Sequence, residues 1–338
     1  MQTKRVAFSL VIPALLFLML AGFPFHTVTA QNAEPDEFQP SFKLGGFLQQ
    51  HFVSDESDGI PPRFSIYRAR LGVSGTVTDR IRVNVIGGYT EPPDNTPRLV
   101  NAFIDFDIHP LLQVRTGQFL LPFGLEGPEV IIFNPAIERS TAIRRLNTFA
   151  MFRDIGIQVS GRRSIFNYAV AVVNGRGANL AEQNDPKDVM GRIGLTPYEN
   201  LEIGVSAHSG KYQSNPAFDN NESRFRLGAD FSYTGDPVFV RGEYILRRDD
   251  QPSGDTRKLN GGYLLAGWQF LENSEAIARY EHYSPEGSLA DNTFTAFTIG
   301  TNYYFVGNTR LSVNYEFRDD QLNPNLGNGL TFQMQVAI

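Results

Sequence analysis

The sequence predicts a transmembrane antiparallel β-barrel of about 16 strands, with a long inward-folded loop after the fifth strand, and three observations carry that prediction. From residue 42 to residue 338, segments of about ten residues alternate polar and apolar side chains, each closed by a turn. The turns alternate in length: short breaks at Thr78-Asp79-Arg80, Gly161-Arg162-Arg163-Ser164, Thr234-Gly235-Asp236-Pro237 and Val306-Gly307-Asn308-Thr309 take turns with longer stretches such as 174–188, 209–223 and 247–259. Outer-membrane barrels have this asymmetry, tight periplasmic turns against long external loops. Lastly, Lys4 and Arg5 precede the apolar run Val6 to Phe25 and the small residues Val28-Thr29-Ala30. That is the pattern of a secretory signal peptide cut after Ala30. The run is also long enough for an uncleaved helical anchor, but the polar break after it and the cleavage pattern favour removal. The expected organisation is a cleaved signal peptide over 1–30, a short periplasmic segment over 31–41 and a barrel over 42–338 in a Gram-negative outer membrane.

Every second residue of such a strand must face lipid. The expected strands are 42–53, 65–77, 81–90, 98–108, 111–119, 152–160, 166–174, 188–196, 201–209, 223–233, 238–247, 259–270, 275–283, 294–305, 309–317 and 329–337. Their number is even, with both ends of the barrel on the periplasmic side. Several strands alternate cleanly. Ile81, Val83 and Val85 oppose Arg82 and Asn84; Leu201, Ile203, Val205 and Ala207 oppose Glu202, Gly204, Ser206 and His208. Phe225, Leu227, Ala229 and Phe231 oppose Arg224, Arg226, Asp230 and Ser232, and Leu330, Phe332, Met334 and Val336 oppose Thr331, Gln333 and Gln335. Segment 166–174 is apolar on both faces, so spacing alone makes it a strand. Aromatics at strand ends (Tyr89, Phe106, Tyr233, Phe270, Tyr283, Tyr303, Phe305, Phe317) suit interfacial girdles, although aromatics favour any strand.

Composition narrows the class. There is no cysteine, so neither a disulfide framework nor a cysteine metal site is available. Mean hydropathy is −0.23, as expected when apolar side chains face lipid and polar ones face a wet lumen. Net charge is −6 for the whole chain, and removing Lys4 and Arg5 makes it −8, so nothing suggests a nucleic-acid partner.

One connection breaks the pattern. Residues 120–151 are the longest inter-strand stretch, and Ile131, Ile132, Phe133, Ile137, Ile143, Leu146, Phe149 and Met151 need something to pack against. The lumen of a barrel this size admits a folded-in loop that lines a constriction; the alternative is a lid over the mouth or against a neighbouring subunit.

Four stretches resemble the phosphate-selective porin O and P family: Arg68-Ala69-Arg70-Leu71-Gly72, Gly117-Gln118-Phe119-Leu120-Leu121-Pro122-Phe123-Gly124-Leu125-Glu126, Arg153-Asp154-Ile155-Gly156-Ile157-Gln158-Val159-Ser160-Gly161 and Tyr168-Ala169-Val170-Ala171-Val172-Val173-Asn174-Gly175. The second is the most specific. The resemblance implies a sixteen-stranded, trimeric, water-filled channel whose third external loop folds inward, with lumenal arginines and constriction lysines that bind phosphate in anion-selective members. This chain departs in two places. After residue 30, lysine occurs only at Lys43, Lys187, Lys211 and Lys258, none of them in 120–151, and the chain ends in Ile338 rather than an aromatic. The first departure puts phosphate specificity in doubt.

Arginine remains. By pleat phase Arg68, Arg70, Arg82 and Arg115 face inward from the first five strands, and the long loop carries Arg139, Arg144 and Arg145. A guanidinium stays charged at physiological pH and offers a planar fork to oxyanions, and rings of such side chains select anions. Equally, they can pair with Asp105, Asp107 or Asp154 and merely brace the wall. Strict alternation puts Arg153 in the lipid phase, hence at the rim. In the second half of the wall, Arg192, Arg224, Arg226, Arg241 and Arg279 are accompanied by Glu202, Asp230, Glu243, Glu281 and Glu316, close to balance.

Enzymatic function has little support. His51, His109, His208 and His282 stand in no nucleophile or zinc motif, and no Gly-x-Ser-x-Gly or His-Glu-x-x-His occurs. Asn174-Gly175-Arg176-Gly177 could suggest a phosphate cradle, but no helix follows and a loop is the simpler reading. The expected function is a passive channel for small hydrophilic, preferentially anionic solutes, assembled as a homotrimer among outer-membrane lipids and needing no cofactor. A non-selective porin, a plugged barrel acting as receptor or adhesin, and an outer-membrane hydrolase are the alternatives.

Overall fold

The computed structural model describes residues 38–57, 61–90, 97–147, 149–182, 184–212, 222–286 and 292–338. The expected signal peptide and most of the segment 31–41 lie outside the described residues. Residues 40–338 form one compact unit.

Sixteen antiparallel strands close on themselves: β1 Ser41–Asp55, β2 Arg63–Thr78, β3 Ile81–Thr90, β4 Arg98–His109, β5 Leu112–Leu120, β6 Arg153–Arg163, β7 Phe166–Val173, β8 Asp188–Tyr198, β9 Leu201–Tyr212, β10 Glu222–Thr234, β11 Val238–Asp250, β12 Thr256–Leu271, β13 Ser274–Pro285, β14 Phe294–Val306, β15 Thr309–Asp320 and β16 Gly329–Ala337. Each pairs with its sequence neighbours, and β1 closes on β16 with Phe47 opposite Ala337 and Asp55 opposite Gly329. Closure leaves no unpaired edge, which a structure surrounded by lipid requires.

All sixteen expected strands form, and most of the differences lie at the long-loop ends. There β9, β11, β12 and β15 run up to three residues further than the hydropathy pattern indicates. The extra pairs are polar, such as Arg248 with Lys258 and Asp249 with Arg257. Backbone hydrogen bonding continues past the lipid band, whereas alternation in hydropathy reports only the part in lipid.

The outer phase is apolar and exposed, with Leu44, Leu71, Val85, Val205, Leu227, Leu246 and Leu264 among its members, while the opposite phase buries Gln49, Arg68, Asp105, Arg226 and Gln335. In β2 a bulge at Tyr67, between the pairs Gln49–Arg68 and Gln50–Ile66, switches phase: Phe64 and Ile66 face out on one side of it, Leu71 and Val73 on the other. Of the girdle aromatics, Tyr233, Phe270, Tyr303, Phe305 and Phe317 are exposed outside. Tyr283 is corrected: it is buried, in phase with Arg279 and Glu281, beneath the Arg145 guanidinium.

Residues 121–152 hold two single-turn 3-10 segments, Ile131–Phe133 and Ala150–Phe152, and one short α-helix, α1 Thr141–Leu146, capped by the Ser140 hydroxyl. Leu121, Phe123, Ile143, Leu146 and Phe149 are buried in one cluster with Ala171 and Val173 of β7, Met190 of β8, Ile245 of β11 and Leu259, Tyr263 and Leu265 of β12. Thus the two-faced apolarity of β7 is explained, one face meeting lipid and the other this cluster. Each large apolar side chain so buried contributes about 1.5–3 kcal/mol.

Candidate functional site

The connection 121–152 is held by hydrogen bonds to the polar phase of β9–β16. The first contacts are made by backbone amides, Gly124 N to Ser206 Oγ at 3.0 Å and both Leu125 N and Glu126 N to Glu243 Oε2 at 3.1 Å. Gly124 has φ of 73° and an added Cβ would lie 1.8 Å from Glu243, so only glycine permits this approach. Next, Arg241 grips the Glu129 carboxylate through both terminal nitrogens, at 2.8 and 2.9 Å. Backbone carbonyls accept the remainder: Asn134 O from Arg310 at 2.7 Å, Pro135 O from Asn302 at 2.8 Å, Glu138 O from Arg279 at 2.6 Å and Leu146 O from Arg226 at 3.0 Å. The α1 N-terminus docks on Glu281, whose Oε2 accepts from Ser140 Oγ at 2.8 Å and Ala142 N at 3.0 Å.

On the far side an ion pair to β2 adds to the attachment. Arg68 meets Glu138 at 2.6 Å and also donates to Gln49. Burial raises a carboxyl, but the Arg68 guanidinium outweighs it and holds Glu138 down at about 2. Burial pushes Glu126 up despite Arg279, Arg241 and Arg139, and its carboxylate accepts from Asn134 Nδ2 and Ser140 N.

The seven arginines read from the sequence divide among four environments. Arg115 forms a two-pronged pair with Asp105 at 2.7 and 2.9 Å, and Arg82 meets Asp107 at 2.9 Å and Asp105 at 3.7 Å. Arg68, Arg139 and Arg145 secure the loop: Arg139 donates to the carbonyls of Glu126 and Glu129, and Arg145 to Asp320 at 2.5 Å. Arg144 is exposed and donates to Thr141 Oγ1. Arg70 lies over the Phe47 ring at 5.3 Å, its Nε buried without a partner.

Arg153 is not at the rim. It is 3 % exposed, donating to Asn101 Oδ1 at 2.8 Å and Met151 O at 2.7 Å. Met151 and Phe152 just before it have φ of 56° and 57°, and strand alternation does not extend through that turn. Asp154, a suggested arginine partner, accepts instead from the amides of Ile155 and Gly175. Among the described residues neither Arg70 nor Arg153 meets a carboxylate within 4 Å.

Between the loop edge at Pro122, Pro128 and Val130 and the polar face of β3–β8 lies a cavity of about 490 Å³, touching Asn84, Asn101, Arg115 and Arg192. It shares Asn101 and Val130 with a cavity of about 200 Å³ bounded by Arg70 and Arg153. Through Asn84 and Arg115 it adjoins another of about 300 Å³, and through Asn167 and Tyr168 one of about 570 Å³ at the short turns. Among the described residues no aspartate or glutamate lines the first two, although the chain's terminal residue Ile338 borders the second; Asp105 and Asp107 line the others. Arg115 and Arg192 are paired with acids, Arg115 with Asp105 at 2.7 Å and Arg192 with Glu202 at 2.6 Å and Asp230 at 2.5 Å.

Sequence reasoning missed two things here. Arg226, Arg241, Arg279 and Arg310 hold the loop, a role without a sequence signal, because their partners lie more than 75 residues away. For Arg153 the run Phe149-Ala150-Met151-Phe152 before it was a usable warning, since buried aromatics there imply that the chain turns inward.

A family model described as phosphate-selective porin O and P matches residues 42–338. A search of curated protein sequences found no match. Three solved structures share the fold. In vitro folded OmpT, an outer membrane protein of Vibrio cholerae in its trimer form, superposes with a TM-score of 0.69 at 12 % identity, covering 88 % of this chain and 99 % of that one. The outer membrane channel DcaP of Acinetobacter baumannii gives 0.66 at 13 % identity over 88 % and 97 %. Salmonella typhi OmpF in complex with daunomycin gives 0.67 at 11 % identity over 88 % and 97 %.

Proposed function

The chain belongs to the phosphate-selective porin O and P family of the Gram-negative outer membrane, and from that premise we propose that it is a passive, anion-preferring diffusion channel for small hydrophilic solutes. One observation carries the reading. The loop is fastened to β9–β16, and the cavities it leaves along β3–β8 adjoin one another, with Arg70, Arg115, Arg153 and Arg192 but no aspartate or glutamate on their central lining among the described residues. In this reading residues 121–152 form a constriction that narrows the lumen without filling it. A solute passing Pro122 and Pro128 then meets guanidinium groups, which lower the barrier to an anion.

Within the predicted arginine set the contributions differ. Arg115 and Arg82 are largely neutralised by Asp105 and Asp107, and Arg68 by Glu138, so each adds little net field. Arg70 and Arg153 have no carboxylate within 4 Å among the described residues and are assigned the bias. Phosphate or another inorganic oxyanion is the preferred class, held by arginine rather than lysine. The protein acts without catalysis, assembles as a homotrimer, and reaches the membrane after cleavage of its export signal at Ala30. The trimer form of the OmpT neighbour supports the assembly.

The test is single-channel recording in a planar bilayer under a KCl gradient. The native protein should give stable steps with a reversal potential on the chloride side, and phosphate should reduce the current. Arg70→Gln with Arg153→Gln should move the reversal potential toward the potassium side; an unmoved potential sinks their assignment, and the absence of steps sinks the channel.

A further inference from the structure

The Asn174-Gly175-Arg176-Gly177 segment, a plain loop from its sequence, has a built environment. Gly175 and Gly177 take φ of 90° and 95°. Gly175 N donates to Asp154 at 2.7 Å, and its carbonyl accepts from Arg224, which also meets Asp188 at 2.7 Å. A Cβ on Gly175 would lie 2.6 Å from Asp188, so the turn is specific to glycine. This fastening sets Arg176 on the wall of a cavity of about 460 Å³ at the long-loop end of the barrel, separate from those along β3–β8.

Two kinds of surface meet in that cavity. One is apolar: Tyr212 and Leu180, 43 % and 40 % exposed, with Phe149 and Pro252. The other is cationic. Arg176 lies over the Tyr212 ring at 5.7 Å, Arg257 lines the opposite part, and each has a buried Nε without a hydrogen-bond partner. Among the described residues neither guanidinium meets a carboxylate within 4 Å, whereas the lining acids are engaged. Asp249 is held by Arg247 through Oδ2, its Oδ1 being buried without a hydrogen-bond partner, Asp250 accepts from Thr256 Oγ1 at 3.0 Å, and Glu222 has an interaction of its own. Arg224 faces both rings, at 5.1 Å from Phe149 and 5.5 Å from Tyr212, but is spent on Asp188.

We propose that this mouth cavity is a binding site for organic carboxylates with a flat apolar body. The carboxylate takes the unspent donors of Arg176 and Arg257, a planar fork suited to it, while the body lies against Tyr212, Phe149 and Leu180. Its volume falls within the range of small-molecule pockets. A bare inorganic oxyanion would leave the apolar wall unused, and a neutral sugar would leave two guanidinium groups uncompensated.

The experiment is titration calorimetry of benzoate into the purified full-length protein in detergent at neutral pH, with inorganic phosphate as the comparison. Saturable benzoate binding is expected, and a tenfold excess of inorganic phosphate should not displace it. Arg176→Gln with Arg257→Gln should weaken benzoate at least tenfold, and Tyr212→Ala should weaken benzoate while leaving phosphate unchanged. No saturable benzoate binding, displacement of benzoate by phosphate at equal concentration, or binding undiminished in the variants would overturn the proposal. Folding of each variant is read from circular dichroism. Because binding is measured without conduction, a failure of the channel reading is separately visible: benzoate would still bind to a protein that passes no current.

Discussion

At the scale of single residues, the arrangement turns on which charges are compensated. Arg68 is buried, and its partner Glu138 is, among the described residues, the loop's one carboxylate contact with β2. A carboxylate whose folded pKa is depressed contributes stability that is present above its unfolded value, about 4.3, and lost as pH falls through the folded value. With Glu138 held at about 2, the loop's attachment to β2 should be complete above about pH 4.5 and weaken steadily toward pH 2. Current noise from loop motion, recorded across that range, should rise on acidification. Glu138→Gln should make the noise high and independent of pH over the same interval; a native-like acid response in that variant would refute the assignment. The same accounting separates Arg70 and Arg153 from Arg82 and Arg115, although all four are arginines near the same passage.

At the scale of elements, the connection 121–152 is a small apolar unit docked on an apolar patch that the wall supplies. Leu146 is fully buried in α1, and its carbonyl accepts from Arg226. Leu146→Ala removes its packing and should cost about 2–5 kcal/mol of loop docking. The barrel, closed by its own backbone ladder, should remain folded by circular dichroism. Hydrogen exchange of 121–152 should accelerate and the open conductance increase, because a loosened loop occupies less of the passage; unchanged exchange would show that the loop is held by its polar contacts alone. Much of this was legible in advance. The eight apolar residues in an otherwise external connection announced a packing partner, and β7, apolar on both faces, was half of the answer. That its second face meets the loop was invisible, because the two segments share no local pattern. Arg153 was misplaced for a related reason: two residues with positive φ interrupt the pleat just before it.

At the scale of the whole molecule, selectivity is a property of a field summed over the lining. Screening lengths fall from about 10 Å at 0.1 M salt to about 3 Å at 1 M, so a field from Arg70 and Arg153 acts across the passage only at low salt. The chloride-to-potassium permeability ratio should therefore fall toward one as KCl is raised over that interval, read from reversal potentials at a constant gradient ratio. A ratio independent of salt would assign discrimination to steric exclusion instead.

The barrel was already dictated by sequence: sixteen strand-length segments, most of them with period-two alternation and with long and short turns in rotation, leave few structures able to satisfy every backbone group in lipid. Sequence also determined which connection is exceptional and which strands carry arginine. Long-range packing set which arginines face an acid, which fasten the loop, and along which strands the cavities lie. Those outcomes depend on pairings such as Arg241 with Glu129 and Arg68 with Glu138, 112 and 70 residues apart in the chain. A periodic pattern states which way a side chain points, but electrostatic compensation depends on what stands opposite it in space.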